Sequence, residues 1–383
     1  MRVATTFSGG FGSVEFALKY LDIPHEVVFA CEWMKPQRES YLLNHSKPTS
    51  NFYEDIRDLD GTKYKDEIDY FHESPPCQSY SLAGSRGGAS DERGGLMFEA
   101  IKKIDEIQPK MFSVENVKGL LSSNNGEDWK NILKDFNSLK GYTISWGVMN
   151  AKEQGTPQNR ERVFIVGFRG KAPMMSFPKI VKQKKEFLQC LEDEDKINEK
   201  YYLSEKALSR IFKSERGVAP GTRETKIVPC LIAGYAKIPT DGFYIAEKIK
   251  IPSGHKEGFV EVGYGDTINL AFVNNPSSRS TARTDGLINT LDTSCNQAVI
   301  LERIRRLIPR ECARFQGDFN DMFKMDGFSD TKLYEFIGNA MDISTTQNLI
   351  TRMLEHCRIV EFTEPNEPSF EVKAMQQTQG SLF

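Results

Sequence analysis

At 383 residues the chain can bury a large core and has room for roughly two domains, and its formal net charge of -3 does not advertise a nucleic-acid binder, although a one-sided basic face fits inside such a total. No stretch reaches the continuous apolar length of a membrane span. Seven scattered cysteines argue against a disulfide framework and for a reducing cytoplasm, and the five histidines lack metal-ligand spacing, so no metal is expected.

From Arg2 to about Phe168, short apolar runs alternate with helical stretches, as in parallel βαβ units. The first expected strand, Val3–Phe7, starts almost at the N-terminus and leaves no room for a signal peptide. The loop Phe7-Ser8-Gly9-Gly10-Phe11-Gly12-Ser13 joins it to a helix from near Val14. Its glycines let backbone amides approach a ligand, and a helix N-terminus favours a carboxylate or phosphate. Many such turns are glycine-rich only for close packing. The next strand, Val27–Glu32, ends in Glu32-Trp33, an acid that can accept from ribose hydroxyls beside an aromatic that can stack on adenine. Asp55 supplies a second acid at a third strand end. Each is individually an ordinary surface acid. In order, without a Walker lysine, they describe a pocket for a nucleoside cofactor.

The strand Ile68–Ser74 is stopped by Pro75 and Pro76, which hold Cys77 at the carboxyl edge of the sheet. Open α/β sheets bind ligands at that edge, so the thiol is placed as a nucleophile would be, although most free cysteines are buried and inert. A helix Phe98–Ile107 and a strand Met111–Glu115 follow. The strands Tyr142–Val148 and Val163–Phe168 have no evident helix between them and predict an antiparallel hairpin at one sheet edge. Arg160 and Arg162, two apart, share one face of that stretch. Composition changes near Lys171. Lys179–Lys213 is charge-rich and expected to be helical in part, and Lys226–Ile300 reads as irregular β structure with long loops. Helical periodicity returns at Leu333–Phe336 and Thr345–Leu354, and the chain turns polar after Val360.

Pieces along this chain occur together in an order that resembles the C5-cytosine-specific DNA methyltransferases. They are Phe7–Gly12, Glu32-Trp33, Asp55, Pro75-Pro76-Cys77-Gln78, Arg93–Glu99, Val114-Glu115-Asn116-Val117, Gln158-Asn159-Arg160-Glu161-Arg162, Arg310–Gly317 and Gly338-Asn339-Ala340. Phe11 stands where the family commonly has glycine, and Met341 where a small aliphatic residue is usual. The resemblance implies a Rossmann-like methyltransferase sheet with helices on both faces, plus a smaller, irregular β-rich target-recognition domain. It divides the chain into a catalytic and cofactor-binding domain over 1–170, target recognition over 171–300, a return to the catalytic domain over 301–360 and a flexible tail over 361–383.

It further implies S-adenosyl-L-methionine as cofactor, held by Phe7, Gly9, Gly10, Gly12, Glu32, Trp33, Asp55, Pro76 and Asn339, and double-stranded DNA as substrate. Cys77 would add to C6 of a flipped cytosine, with Glu115 at the base's N3 and N4. Arg162 would orient Glu115 or the base, Arg160 would lie near the nucleotide phosphate, and Asn116 would hold the turn. Ser81 and Arg86 on the loop after Cys77, together with Arg279, Arg283, Thr290 and Leu291, are expected to contact DNA. Arg303, Arg305, Arg306, Arg310 and Arg314 suggest a basic strip, the last two alternatively bridging the domains. Gln379–Phe383 is similar to peptides that dock into bacterial sliding clamps. The expectation is a monomer in the cytoplasm, associated with the nucleoid. One branch of the family acts on transfer RNA, and a catalytically silent DNA-binding regulator is a further alternative.

Overall fold

The computed structural model describes residues 1–76, 95–182, 184–202, 249–263, 265–273, 275–294, 296–301 and 304–360. Cys77, Ser81, Arg86, Arg303 and Gln379–Phe383 lie outside them.

Apolar and β-branched runs form the strands of a central sheet: β1 (Arg2–Thr6), β2 (Glu26–Cys31), β3 (Asn51–Tyr53), β4 (Tyr70–Glu73), β5 (Met111–Val117), β6 (Tyr142–Asn150) and β8 (Glu161–Arg169). Their order is β3-β2-β1-β4-β5-β8-β6. The first five are parallel, while β8 lies between β5 and β6 and runs antiparallel to both. The expected hairpin is therefore present, with β6 as the outer strand. Strand order reverses between β1 and β4, the switch point at whose carboxyl end a ligand crevice opens.

Side chains alternate across the strands and build one core on each face. Val3, Tyr70, Phe164 and Val166 pack with Val14 and Ala17 of α1 (Ser13–Tyr20) and with Ile350 and Met353 of the C-terminal helix Ile343–Cys357. Ala4, Phe71, Phe112 and Ile165 pack with Ile101 and Ile104 of the helix Gly95–Ile107 and with Ile132 and Phe136 of the helix Glu127–Asn137. Helices thus cover both faces, as the alternating pattern required.

In the described part of the charge-rich stretch the helical content is three short 3-10 turns, Phe187–Cys190, Glu194–Lys196 and Glu199–Tyr201, and 203–213 lie outside the described residues. Its apolar residues are too few for an amphipathic face, and Phe187 and Cys190 instead dock onto the core that holds α1. Beyond it, Ile249–Pro252 pairs with Phe259–Val262, and Ala282–Arg283, Thr267–Asn269, Gln297–Ile300 and Ile304–Arg306 form a four-stranded sheet in that order. Ile251, Val262, Ile268, Ala298 and Ile300 make a separate small core under these strands. Ile288–Asn289 pairs in parallel with β7 (Gln158–Asn159), which ties this region to the main sheet. Among the described residues no helix is long and apolar enough to cross a membrane.

Candidate active site

The loop after β1 bends back on itself. Phe7 adopts φ 56° while its N–H donates to the Cys31 carbonyl at 2.9 Å, and Gly9, Gly10 and Gly12 all have positive φ. At Gly12 the requirement is steric as well: with φ +71°, an added Cβ would lie 2.3 Å from His45 Nε2. His45 in turn is 2.8 Å from the Phe11 carbonyl, which holds the loop from behind. Phe11 packs on Phe16 and Phe323, with centroids 5.3 and 4.6 Å away, so it serves the core. A Cβ on Gly9 would come 3.2 Å from Cβ of Asn339, so the loop and the end of the helix Asp330–Asn339 close on each other.

Glu32 leaves the end of β2, is buried, and accepts from the Gly9 N–H at 2.9 Å. Burial pushes its carboxyl up to about 7, partly opposed by the backbone donors Gly9 and Met34. Beside it, Trp33 is 63% exposed, leaving its ring available for stacking. Asp55 is arranged differently. It caps the turn Ile56–Asp58 by accepting from Arg57 N at 2.9 Å, and it pairs with the Arg57 guanidinium at 2.6 Å. That guanidinium holds its carboxyl below the usual carboxylate range, so it already has a cationic partner.

A cleft of about 270 Å³, mouth included, lies beside this loop and is lined by Phe7, Ser8, Glu15, His72, Ser74 and Asn339 among others. Ser8 Oγ and Glu15 Oε2 are buried there without a hydrogen-bond partner among the described residues. Two orphaned polar atoms suit a ligand with a polar, amino-acid-like end, and Glu32 and Trp33 suit a nucleoside, so the residues present fit S-adenosylmethionine.

At the carboxyl ends of β4 and β5, Asn116 Nδ2 donates to the Pro75 carbonyl at 3.2 Å and its Oδ1 accepts from Val117 N at 2.9 Å. The asparagine therefore fixes the proline turn that precedes Cys77. Next to it, Glu115 Oε1 lies 2.8 Å from Arg162 Nε, reached from β8 because Arg162 opposes Val117 in the antiparallel register. Both side chains are largely buried, which strengthens the pair relative to a surface one.

The other candidate residues sit among partners within the chain. Arg160 is buried and donates to three backbone carbonyls, of Leu291 (3.2 Å), Gly338 (3.1 Å) and Ala340 (2.7 Å), so it clamps a junction of three segments and does not reach out to a phosphate. Gln158 belongs to the same junction: it donates to the Phe315 carbonyl and to Gln316, and accepts from Leu291 N at 3.2 Å. Thr290 Oγ1 donates to the Asn159 carbonyl at 2.9 Å, and the Leu291 side chain is buried, so this pair faces the chain itself. Arg279 is exposed near the Gly254 carbonyl, and Arg283 is ion-paired with Asp285. Three arginines of the expected basic strip are engaged with acids. Arg305 is fully buried between Glu311 (2.8 Å) and Glu194 (2.7 Å), Arg314 holds Asp321 and Glu192, and Arg310 lies 3.7 Å from Asp318. Motif spacing identifies these arginines but is silent on Glu194 and Glu192, which meet Arg305 and Arg314 from 111 and 122 residues away.

Known proteins agree with this architecture. The family model described as C-5 cytosine-specific DNA methylase matches residues 1–355. The type II methyltransferase M.HpaII of Haemophilus parainfluenzae is 32% identical over 352 residues, covering 90% of this chain and 87% of the relative. M.FnuDI of Fusobacterium nucleatum is 29% identical over 93% of this chain and 94% of its own length. The crystal structure of Dnmt2 methyltransferase from S. pombe superposes with a TM-score of 0.61 at 17% identity, covering 93% of this chain and 98% of that one, which supports the fold alone. The chain belongs to the C-5 cytosine-specific DNA methylase family and is a DNA cytosine-5 methyltransferase.

Proposed function

We propose that the protein methylates C5 of a cytosine flipped out of duplex DNA, with Cys77 as nucleophile and Glu115 and Arg162 as the groups that act on the base. The observation that carries this reading is the Glu115–Arg162 pair at the carboxyl end of β5, beside the Pro75 carbonyl that Asn116 holds. Cytosine C5 is a poor nucleophile. The Cys77 thiolate adds to C6, the C5–C6 π electrons shift onto C5 and through C4 to N3, and C5 gains enamine character. Glu115, oriented by Arg162, lies where it can hydrogen-bond the ring nitrogens and stabilise the charge that this addition creates. When bound, S-adenosylmethionine supplies an electrophilic methyl group. Loss of the C5 proton then re-forms the C5=C6 double bond as the C6–S bond breaks and the Cys77 thiolate leaves.

Cofactor binding falls to Phe7, Gly9, Gly10, Gly12, Glu32, Trp33, Pro76 and Asn339, with Asp55 contributing only as far as Arg57 leaves its carboxylate oxygens accessible. Target recognition belongs to the Lys171–Ile300 segment, where the exposed Arg279 is the candidate for a phosphate contact. Ser81 and Arg86 act on DNA from the segment after Cys77, Gln379–Phe383 docks on a sliding clamp, and the enzyme works as a monomer on nucleoid DNA. The test is incubation with a duplex containing 5-fluorocytosine in place of cytosine. Loss of fluorine from C5 is blocked, so a covalent adduct should accumulate with the wild type and be absent from Cys77→Ala. Methyl transfer to RNA with none to DNA would overturn the substrate assignment.

A further inference from the structure

The face of β4 toward α1 carries a chain of hydrogen-bonded polar groups. Tyr70, His72 and Ser113 are all buried. The Tyr70 hydroxyl lies 2.7 Å from Ser113 Oγ, Ser113 Oγ lies 2.7 Å from His72 Nδ1, and His72 Nε2 lies 2.9 Å from Ser74 Oγ. Burial pushes the imidazole pKa down to about 4, so the ring is neutral and carries one N–H.

The direction of this chain is decided at its inner end. Among the described residues Ser113 is the hydrogen-bond partner of the Tyr70 hydroxyl. A chain running inward would leave the Tyr70 proton buried with no acceptor, which costs about 1–3 kcal/mol. Running outward, Tyr70 donates to Ser113, Ser113 donates to His72 Nδ1, and the Nε2–H is donated to Ser74 Oγ. Ser74 then keeps its own proton, and Ser74 lines the cleft shared with Phe7, Ser8 and Asn339.

Ser74 is also the last residue before two prolines, which have no N–H to anchor the exit from β4. Its own N–H reaches the Thr6 carbonyl at a long 3.4 Å. What fixes the exit is side-chain bonding: His72 to Ser74, and Asn116 to the Pro75 carbonyl. We propose that His72 is a positioning residue for methyl transfer: through Ser74 it sets the Pro75-Pro76 turn that delivers Cys77 and leaves the Ser74 hydroxyl donating into the cleft. The proposal rests on Cys77 as the nucleophile. It requires no proton transfer by His72, only a fixed tautomer.

The experiment compares the full-length wild type with Cys77→Ala, His72→Leu, His72→Gln, Ser74→Ala and the His72→Leu/Ser74→Ala double variant. It reads kcat, KM for duplex DNA, and the rate of adduct formation on 5-fluorocytosine DNA. His72→Leu should lower kcat and the trapping rate about 10-fold, the worth of one positioning hydrogen bond, with KM for DNA within about twofold of wild type. His72→Gln, whose amide can reach Ser74 Oγ, should recover most of that rate. The double variant should be no slower than the slower single, because both changes remove the same bond. Unchanged kcat in folded His72→Leu, or losses that multiply in the double variant, would overturn the proposal. If His72→Leu does not fold, Ser74→Ala at wild-type kcat overturns it and a roughly 10-fold loss there, with His72→Gln near wild type, sustains it. An untrapped wild type would refute the Cys77 reading and, with it, the positioning role built on it, whereas a trapped wild type with unchanged kcat in His72→Leu would overturn the His72 proposal alone.

Discussion

Arg160 gives the sharpest quantitative expectation, because sequence and structure assign it different work. Its guanidinium is buried and satisfies the carbonyls of Leu291, Gly338 and Ala340 at 3.2, 3.1 and 2.7 Å. Arg160→Met fills similar volume but removes those donors. A buried carbonyl left without a partner costs about 1–3 kcal/mol, and some relaxation toward water is available, so the loss should be about 3–4 kcal/mol in unfolding free energy. Gly338 and Ala340 flank Asn339, whose Cβ lies against Gly9, so cofactor affinity should fall with stability. Arg160→Lys, with a single ammonium, should recover only part of both. Urea unfolding gives the first quantity and titration calorimetry with S-adenosylmethionine the second. A variant within about 1 kcal/mol of wild-type stability, yet inactive on DNA, would refute the junction argument and return Arg160 to the nucleotide.

Glu115→Gln should keep cofactor binding and lower kcat/KM by about 10²-fold or more, and Arg162→Ala should follow it, since Glu115 loses its partner at 2.8 Å; steady-state kinetics beside calorimetry separate the two effects. For Glu32, a folded pKa of about 7 against the ordinary 4.5 means that the folded protein keeps a proton the unfolded chain releases, so stability of the ligand-free protein falls as pH rises through that window. Glu32→Gln should flatten that slope in denaturation series at pH 5 and 8, and cofactor affinity, which needs the carboxylate as acceptor, should rise with pH through about 7 only in the wild type. Gly12→Ala should lose more than about 1 kcal/mol and weaken cofactor binding, because its Cβ meets His45 at 2.3 Å at positive φ, and thermal unfolding reads this directly. Arg305→Ala should destabilise by about 3–5 kcal/mol through stranding Glu311, with the salt dependence of DNA binding unchanged, whereas a DNA-facing arginine would change that slope and leave stability intact.

The parts of this protein that were legible in the sequence are those with short-range signals. Short apolar runs located β1, β2, β4, β5, β6 and β8, the prolines ended β4, and the glycine loop and Glu32 announced the cleft. Sheet order was less legible: the hairpin of β6 and β8 is local, but only long-range packing decides that β8 slots against β5, and that placement is what carries Arg162 to Glu115. The same reason hid the roles of Arg160 and Gln158, whose partners lie far away in sequence and whose motifs look identical whether they face a ligand or a carbonyl, and the Glu194 partner of Arg305. Tyr70, His72 and Ser113 gave no signal, since single polar residues inside apolar strands resemble ordinary β composition. The available hint was period: Tyr70, His72 and Ser74 alternate on one face and so can bond in series.

The most direct test of the central claim is transfer of a labelled methyl group from S-adenosylmethionine to unmethylated duplex DNA, followed by digestion to nucleosides, with Cys77→Ala in parallel. Label is expected in 5-methylcytosine alone with the wild type and nowhere with the variant. Label on another base or another atom, or undiminished transfer by Cys77→Ala, would contradict that claim.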